Sequence, residues 1–225
     1  MTHKNLVIVG DSAFAEVAYE YFTHDSPYTV VAFAVERDFL TKASVFGLPV
    51  IALDELAERF PAATHDFYAA LVYTQMNRLR TRLYMKLKGM GYSPASYISS
   101  RAFVWPNAVL GEHCFIFEDN TVQPFVRIGN NVVLWSGNHI GHHSVIKENC
   151  FISSHVVVSG FCTVGANCFI GVNATFGNNL DVGDDCLIGA GALIARDVPE
   201  DSLVKGTLAV AGLGVRARFG LEPDA

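Results

Sequence analysis

Residues 165–194 read GANCFI GVNATF GNNLDV GDDCLI GAGALI, five blocks of six that each open on Gly and close on an apolar residue. The register reaches back well before this stretch. An apolar residue falls on every sixth position: Ile98, Val104, Leu110, Ile116, Val122, Ile128, Leu134, Ile140, Ile146, Ile152, Val158, Val164, Ile170, Phe176, Val182, Ile188 and Ile194. Aliphatic residues make up roughly a quarter of an average composition, too few to hold that register by chance. A period of six is neither the 3.6 of a helix nor the 2 of a strand. It marks a parallel β-helix of hexapeptide repeats. Three hexads close one triangular coil, so each rung takes 18 residues and the span gives five to six coils. Aliphatic corners such as Ile98, Ile116, Leu134, Ile152, Ile170 and Ile188 then stack, and contact between neighbouring coils supplies the stability.

Working outward from the register, eight of its members are followed directly by Gly (111, 129, 141, 165, 171, 177, 183 and 189), with Asn or Asp often close behind. These residues tolerate turn and left-handed backbone angles. All five cysteines, Cys114, Cys150, Cys162, Cys168 and Cys186, stand four residues after a register position, a slot shared with Ala102, Ala108, Val126, Val132, Ser144, Val156, Ala174 and Ala192. The slot wants a small inward residue, and free Cys serves as one. Structural cysteines in a reducing compartment follow, with neither a disulfide framework nor a Cys nucleophile.

Ahead of the coils the pattern changes. Leu6-Val-Ile-Val-Gly10 reads as a buried parallel strand, Ala13–Phe22 as a helix, and Thr29–Val35 as a second strand closed by Glu36-Arg37-Asp38. Gly47–Val50 enters a short segment, and Asp54 stands as the N-cap of a helix through Phe60. Phe67–Tyr73 reads as a third strand, and Asn77–Met90 as a helix with Leu79, Leu83, Leu87 and Met90 inward. This alternation implies a small Rossmann-like α/β domain over 1–95, an all-β parallel β-helix over 96–198 and a C-terminal segment over 199–225. Ligands of such sheets sit at the carboxyl ends of strands, here Gly10-Asp-Ser12, Glu36-Arg37 and Tyr73-Thr74. Gly10-Asp-Ser-Ala-Phe-Ala lacks the G-x-G-x-x-G fingerprint, which argues against a dinucleotide loop.

The chain of 225 residues is 51% hydrophobic with formal net charge −6. Its mild acidity gives no footprint for nucleic acid or an anionic membrane. The start, Met1–Asn5 running into Leu6–Val9, has no room for a signal peptide, and no apolar run reaches the length of a membrane span. A cytoplasmic protein is expected.

On its hexads the chain resembles the left-handed β-helix acyltransferases, and with the Rossmann-like domain in front it is similar to the NeuD-type sugar acyltransferases. The resemblance implies acetyl-CoA as acyl donor, a homotrimer with active sites between subunits, and an acceptor that is a nucleotide-linked amino sugar of bacterial glycan or O-antigen synthesis. The implied reaction is N-acetylation, at C4 of an amino-dideoxy sugar. Ile140-Gly-His142-His-Ser-Val-Ile resembles the I-G-H-D-x-V-I segment of that family and places its catalytic histidine on His142. Imidazole suits the removal of a proton from an attacking amine near neutrality. The carboxylate that usually follows is replaced by His143, which leaves open whether His143, Glu118 or Asp119 orients the base.

The 18-residue coil acts as a ruler. One rung above His142 stands Gly160, whose bare amide is expected either to be an oxyanion donor or to serve only a turn. One rung above His155 stands Asn173, and this pair is expected to line the acetyl-CoA groove together with Gly171, Gly189 and Ala190. Arg196, Lys205, Arg216 and Arg218 are candidate partners for the 3′-phosphate. The family's closing G-V-P-A-K is absent, with Lys205-Gly-Thr-Leu-Ala209 in its place. Gly10, Ser12, Glu36, Arg37, Tyr73 and Asn138 are expected to hold the acceptor. His113 and His139 read as polar turn residues. β-Helical carbonic anhydrases hold zinc with histidines five apart, a spacing that 139, 142, 143 and 155 do not provide, so no metal is expected. An O-acetyltransferase of a sialic-acid-type sugar and a non-catalytic trimeric scaffold are the alternatives. His142, His143 and the Trp135–Asn138 stretch speak against the scaffold.

Overall fold

The computed structural model of the protein describes residues 4–206. It opens with β1 (Lys4–Val9), whose Leu6–Val9 are buried on both faces as a central parallel strand requires. α1 (Ala13–His24) turns Phe14, Ala15, Ala18 and Phe22 inward. There follow β2 (Tyr28–Val35), the hairpin β3 (Ser44–Val45) and β4 (Leu48–Ala52), the one-turn α2 (Leu56–Arg59), β5 (His65–Ala69), α3 (Arg78–Gly89) and β6 (Ser93–Pro94). The sheet runs β3-β4-β2-β1-β5-β6, parallel except for the hairpin. One face, with Leu6, Ile8 and Tyr68, packs through α1 onto the coils; Val7, Val9 and Phe67 on the other meet Leu83, Tyr84 and Leu87 of α3.

Two local expectations change. Asp54 caps no helix: a 3-10 turn over Leu53–Glu55 leads into α2, and the Asp54 carboxylate accepts the Arg37 guanidinium at 2.8 Å from each of two nitrogens. The third strand ends at Ala69, four residues early, and the chain then reverses through left-handed Gln75, Met76 and Asn77.

From Tyr97 the chain winds in three parallel sheets. The first face stacks the strands 97–98, 115–116, 133–134, 151–152, 169–170, 187–188 and 203–204; the second runs from 103–104 to 193–194, and the third from 109–110 to 181–182. Pairings such as Ile116 with Ile98 and Leu134 confirm the 18-residue step. Register residues from Ile116 onward are buried in one continuous core. The last coil is shorter by two residues, because Leu203–Val204 pairs with Leu187–Ile188. The solenoid therefore runs past 198, the boundary expected from the hexads, to Val204.

The corner glycines serve a purpose other than the one expected. Gly141 does not have a positive φ; a Cβ there would lie 2.6 Å from the Ser159 carbonyl carbon on the next coil. The left-handed residue is two places later, His143 at φ 60°, and the same holds for Asn131, Asn167 and Asn173. The cysteine slot is also more than small. Each thiol donates to a carbonyl of the next coil, as from Cys150 to Gly165 O at 3.0 Å and from Cys162 to Gly177 O at 3.0 Å, and the Ser144 hydroxyl donates likewise to Ser159 O at 2.8 Å.

The first face is aromatic where the α/β domain covers it. Phe115, Phe117 and Trp135 meet Phe14 and Tyr21, with ring centroids 5.4 Å apart for Phe14–Trp135 and 4.9 Å for Tyr21–Phe117. Beside it, Arg80 of α3 is fully buried and, among the described residues, has no carboxylate partner. Its guanidinium donates to carbonyl oxygens of Leu71, Val72, Asn131, Asn149 and Cys150 and to the side-chain oxygens of Asn77 and Asn131. Such a buried cation is tolerated only because its donors are satisfied. Among the described residues no helix is long and apolar enough to cross a membrane.

Candidate active site

His142 and His143 occupy the corner between the second and third faces, opposite the face that carries the α/β domain. The corner is tied to both neighbouring coils. The His142 amide donates to Gln123 Oε1 at 2.9 Å, the His143 amide to Pro124 O at 3.1 Å, and Phe161 N–H donates to His142 O at 3.0 Å. Both imidazoles are exposed, with Nδ1 of one 3.2 Å from Nδ1 of the other, within hydrogen-bond reach. The His142 ring lies over Gly160 of the coil above. A Cβ on that glycine would sit 2.7 Å from Cε1 and 2.9 Å from Nε2, so only glycine leaves the ring where it is. The oxyanion role expected for Gly160 meets a competing partner, because its amide already donates to Asn178 Oδ1 at 3.0 Å.

Glu118 and Asp119 lie on a different corner, between the first and second faces. Glu118 accepts the Tyr21 hydroxyl at 2.7 Å, and Asp119 lies 3.7 Å from Arg101. Neither is hydrogen-bonded to His142; among the described residues His143 is the titratable side chain within hydrogen-bond reach of its ring.

At the carboxyl ends of β1 and β2 a cleft of about 180 Å³ is lined by Gly10, Asp11, Ser12 and Glu36 above an apolar floor that includes Leu71, Leu79 and Leu83. Gly10 takes φ 113°, and its amide donates to Ala34 O at 2.8 Å. Glu36 is held by both terminal nitrogens of Arg82, at 2.7 and 2.8 Å, and that pairing keeps its carboxyl below the usual range. Arg37 and Tyr73, expected in this cleft, are elsewhere. Arg37 is held by Asp54 and Glu55, and Tyr73 packs on Phe151 and Phe169, 5.5 and 4.2 Å away between ring centroids.

Residues 125–160 and 161–196 match the bacterial transferase hexapeptide model of six repeats. PerB from Caulobacter crescentus, in a structure holding CoA and GDP-perosamine, is 26% identical, with a TM-score of 0.79 over 90% of this chain and 94% of that one. A histidine-to-asparagine variant of perosamine N-acetyltransferase from the same organism, also with CoA and GDP-perosamine, gives 25% identity and a TM-score of 0.80 over 90% of this chain and 93% of that one. The acetyltransferase domain of PglB from Neisseria gonorrhoeae, with acetyl coenzyme A, shares the fold at 24% identity and a TM-score of 0.81 over 91% and 97% of the two chains. No curated protein sequence matches. The coils from 125 to 196 thus carry the bacterial transferase hexapeptide repeats, and the likeness to the perosamine enzyme runs through both domains.

In this chain the remaining expected residues fall in three places. His155 and Asn173 are exposed and left-handed on the first–second corner, with Gly171, Gly189 and Ala190 beside them. The His155 ring lies over Gly137, where a Cβ would be 2.5 Å from Nδ1. One chain therefore holds the expected cofactor corner apart from His142. Arg196 lines a hollow at the C-terminal end with Leu193 and Leu203; Lys205 is exposed nearby, and Arg216 and Arg218 lie outside the described residues. Asn138 is no acceptor contact: it is buried, accepting Val156 N–H at 2.8 Å and donating to Trp135 O at 2.5 Å. Trp135 and Asn138 thus serve the fold, and their weight against a bare scaffold falls away.

His113 is also not a surface turn residue. It is fully buried; its Nε2 accepts Ala69 N–H at 2.9 Å and its Nδ1–H donates to Asn131 Oδ1 at 2.9 Å. Burial pushes its pKa down to about 3, leaving a neutral ring. His139 stands on a strand of the second face, not in a turn. Arg80 and Asn77 were missed as the clamp between domains. Their signal was helical spacing: 77, 80, 84 and 87 share the buried face of α3.

Proposed function

We propose that the protein transfers acetyl from acetyl-CoA to the amine of a nucleotide-linked amino sugar, at C4 of a dideoxy sugar, with His142 as general base. One observation carries the reading. A chain with an imidazole held on an exposed β-helix corner matches, across both of its domains, an enzyme whose structure holds CoA and GDP-perosamine. The amine nitrogen attacks the thioester carbonyl while His142 Nε2 takes its proton. The C–N bond forms, the C–S bond then breaks, and the imidazolium returns the proton to the leaving thiolate to give free CoA. Holding both substrates together supplies most of the remaining rate.

The cleft at Gly10, Ser12 and Glu36 holds the nucleotide of the acceptor, and its apolar floor suits a base. Acetyl-CoA runs along the corner of His155, Gly171, Asn173, Gly189 and Ala190, with Arg196 and Lys205 toward its phosphate. These parts surround different sides of one coil. Their meeting requires neighbouring copies, and a cyclic trimer of side-by-side solenoids brings cofactor corner, acceptor cleft and His142 together. Such a trimer has three times the 24.5 kDa chain mass. A role in bacterial glycan synthesis follows from this substrate class.

Thiol release from acetyl-CoA with a panel of UDP-, GDP-, dTDP- and CMP-linked amino sugars tests the reading, with thermal shifts recorded for each nucleotide. At least one nucleotide amino sugar should turn over and stabilise the protein. Turnover of free sialic acids alone, giving an acetyl ester, would replace the reading with O-acetylation.

A further inference from the structure

The corner of His142 carries an aromatic column that the reaction so far leaves unused. Phe125, His143 and Phe161 stand 18 residues apart, one per coil, all left-handed at φ 66°, 60° and 59°. A bulky residue at positive φ is unusual. Three in succession point to a purpose for the column. The His143 ring is sandwiched, 4.5 Å from Phe125 at 28° and 4.7 Å from Phe161 at 16° between planes. Phe161 also meets the edge of His142, 5.1 Å away at 86°. The sandwich fixes the plane of His143 and aims its Nδ1 at Nδ1 of His142, 3.2 Å away.

We propose that His143 is the positioning residue of the base, a neutral acceptor held in place by the column. His142 Nδ1–H donates to His143 Nδ1, which fixes the tautomer whose Nε2 lone pair is open to the acceptor amine. His143, bearing its proton on Nε2, is clamped between Phe125 and Phe161 so that the bond survives on an exposed corner. This rests on the role proposed above for His142 but names how the ring is held. The surroundings are consistent with a neutral pair. The coil below presents Gln123, Pro124 and Phe125, and the coil above Ser159, Gly160 and Phe161, none of which titrates. Arg127 is the charged side chain that lines the hollow beside His143, together with Asn107 and Val145. Among the described residues no carboxylate is hydrogen-bonded to either ring.

Two substitutions separate this role from a structural one. His143→Phe places in the column the residue that positions 125 and 161 already carry, keeping the stack and removing the acceptor. His143→Asp is tolerated by left-handed backbone and supplies a charged acceptor. In long-range proton–nitrogen correlation spectra of the histidine-labelled full chain, above the histidine titration range, His142 should be the Nδ1–H tautomer and should lose that preference in His143→Phe. In the acetyl-transfer assay, kcat of His143→Phe should fall about tenfold with KM little changed. His143→Asp should move the acid limb of kcat/KM upward by about one pH unit, because a carboxylate favours the imidazolium. A parent His142 in the Nε2–H form, a tautomer indifferent to His143→Phe, or an acid limb that stays put in His143→Asp would overturn the proposal. The tautomer is read without turnover, so a silent assay beside an intact Nδ1–H form would count against the reaction and in favour of the pair.

Discussion

Gly160 acts by what it lacks. The His142 ring occupies the space a side chain would take, and the amide that could have met an oxyanion is spent on Asn178. Gly160→Ala would push the ring aside rather than break a coil, since the atoms it meets are the far end of an exposed side chain. The melting temperature should stay within about 2 °C of the parent. Turnover should drop about tenfold or more through displacement of the proposed base. Near-parent kcat with normal melting would show that the position of this ring is unimportant. The 18-residue spacing already pairs positions 142 and 160 in the sequence. It carries no information on Asn178, whose side chain reaches back one coil to take the amide.

At the scale of elements, α3 and the third–first corner of the solenoid hold the domains together. His113 and Asn131 lie on successive coils, and Asn131 also receives Arg80 from α3. His113 gives this junction a pH dependence with a defined sign. Its folded pKa lies near 3 against an ordinary 6.5, so between these values the unfolded chain binds the extra proton. Stability is complete above about pH 6.5 and falls with acid by about 1.4 kcal/mol per pH unit. Urea midpoints between pH 6.5 and about pH 5, where ordinary carboxylates are still ionised, should show this slope. The slope should vanish in His113→Asn, which fits the asparagine column above it. An equal slope in both proteins would remove His113 from the account. The coils were legible because their period is local and repeats without a gap from Ile98 to Ile194. The clamp was not, because a buried arginine whose partners are carbonyls 51 to 70 residues away leaves only its place on a helix face. Trp135 beside the histidines misled for a related reason: alternate residues of one short strand serve the coil core and the domain interface.

For the whole molecule, the coil itself lies between the proposed acceptor cleft and the proposed base. The α/β domain covers the first face, and His142 projects from the corner opposite. Both domains were readable from their periodicities, as was the histidine corner from its departure from the hexads. The separation of the parts appears only once the coils are closed and the first face is seen to be covered. If cleft and base act together, they act across subunits. His142→Asn should lower kcat at least about a hundredfold with KM near normal. Ser12→Tyr should block the cleft at an exposed position without unfolding the chain. Mixed oligomers assembled from these two variants measure the central claim most directly: each variant alone should be nearly inactive, and the mixture should regain acetyl transfer through sites that combine an intact cleft with an intact His142. Unchanged turnover in His142→Asn, or a mixture no more active than its parts, would contradict the account.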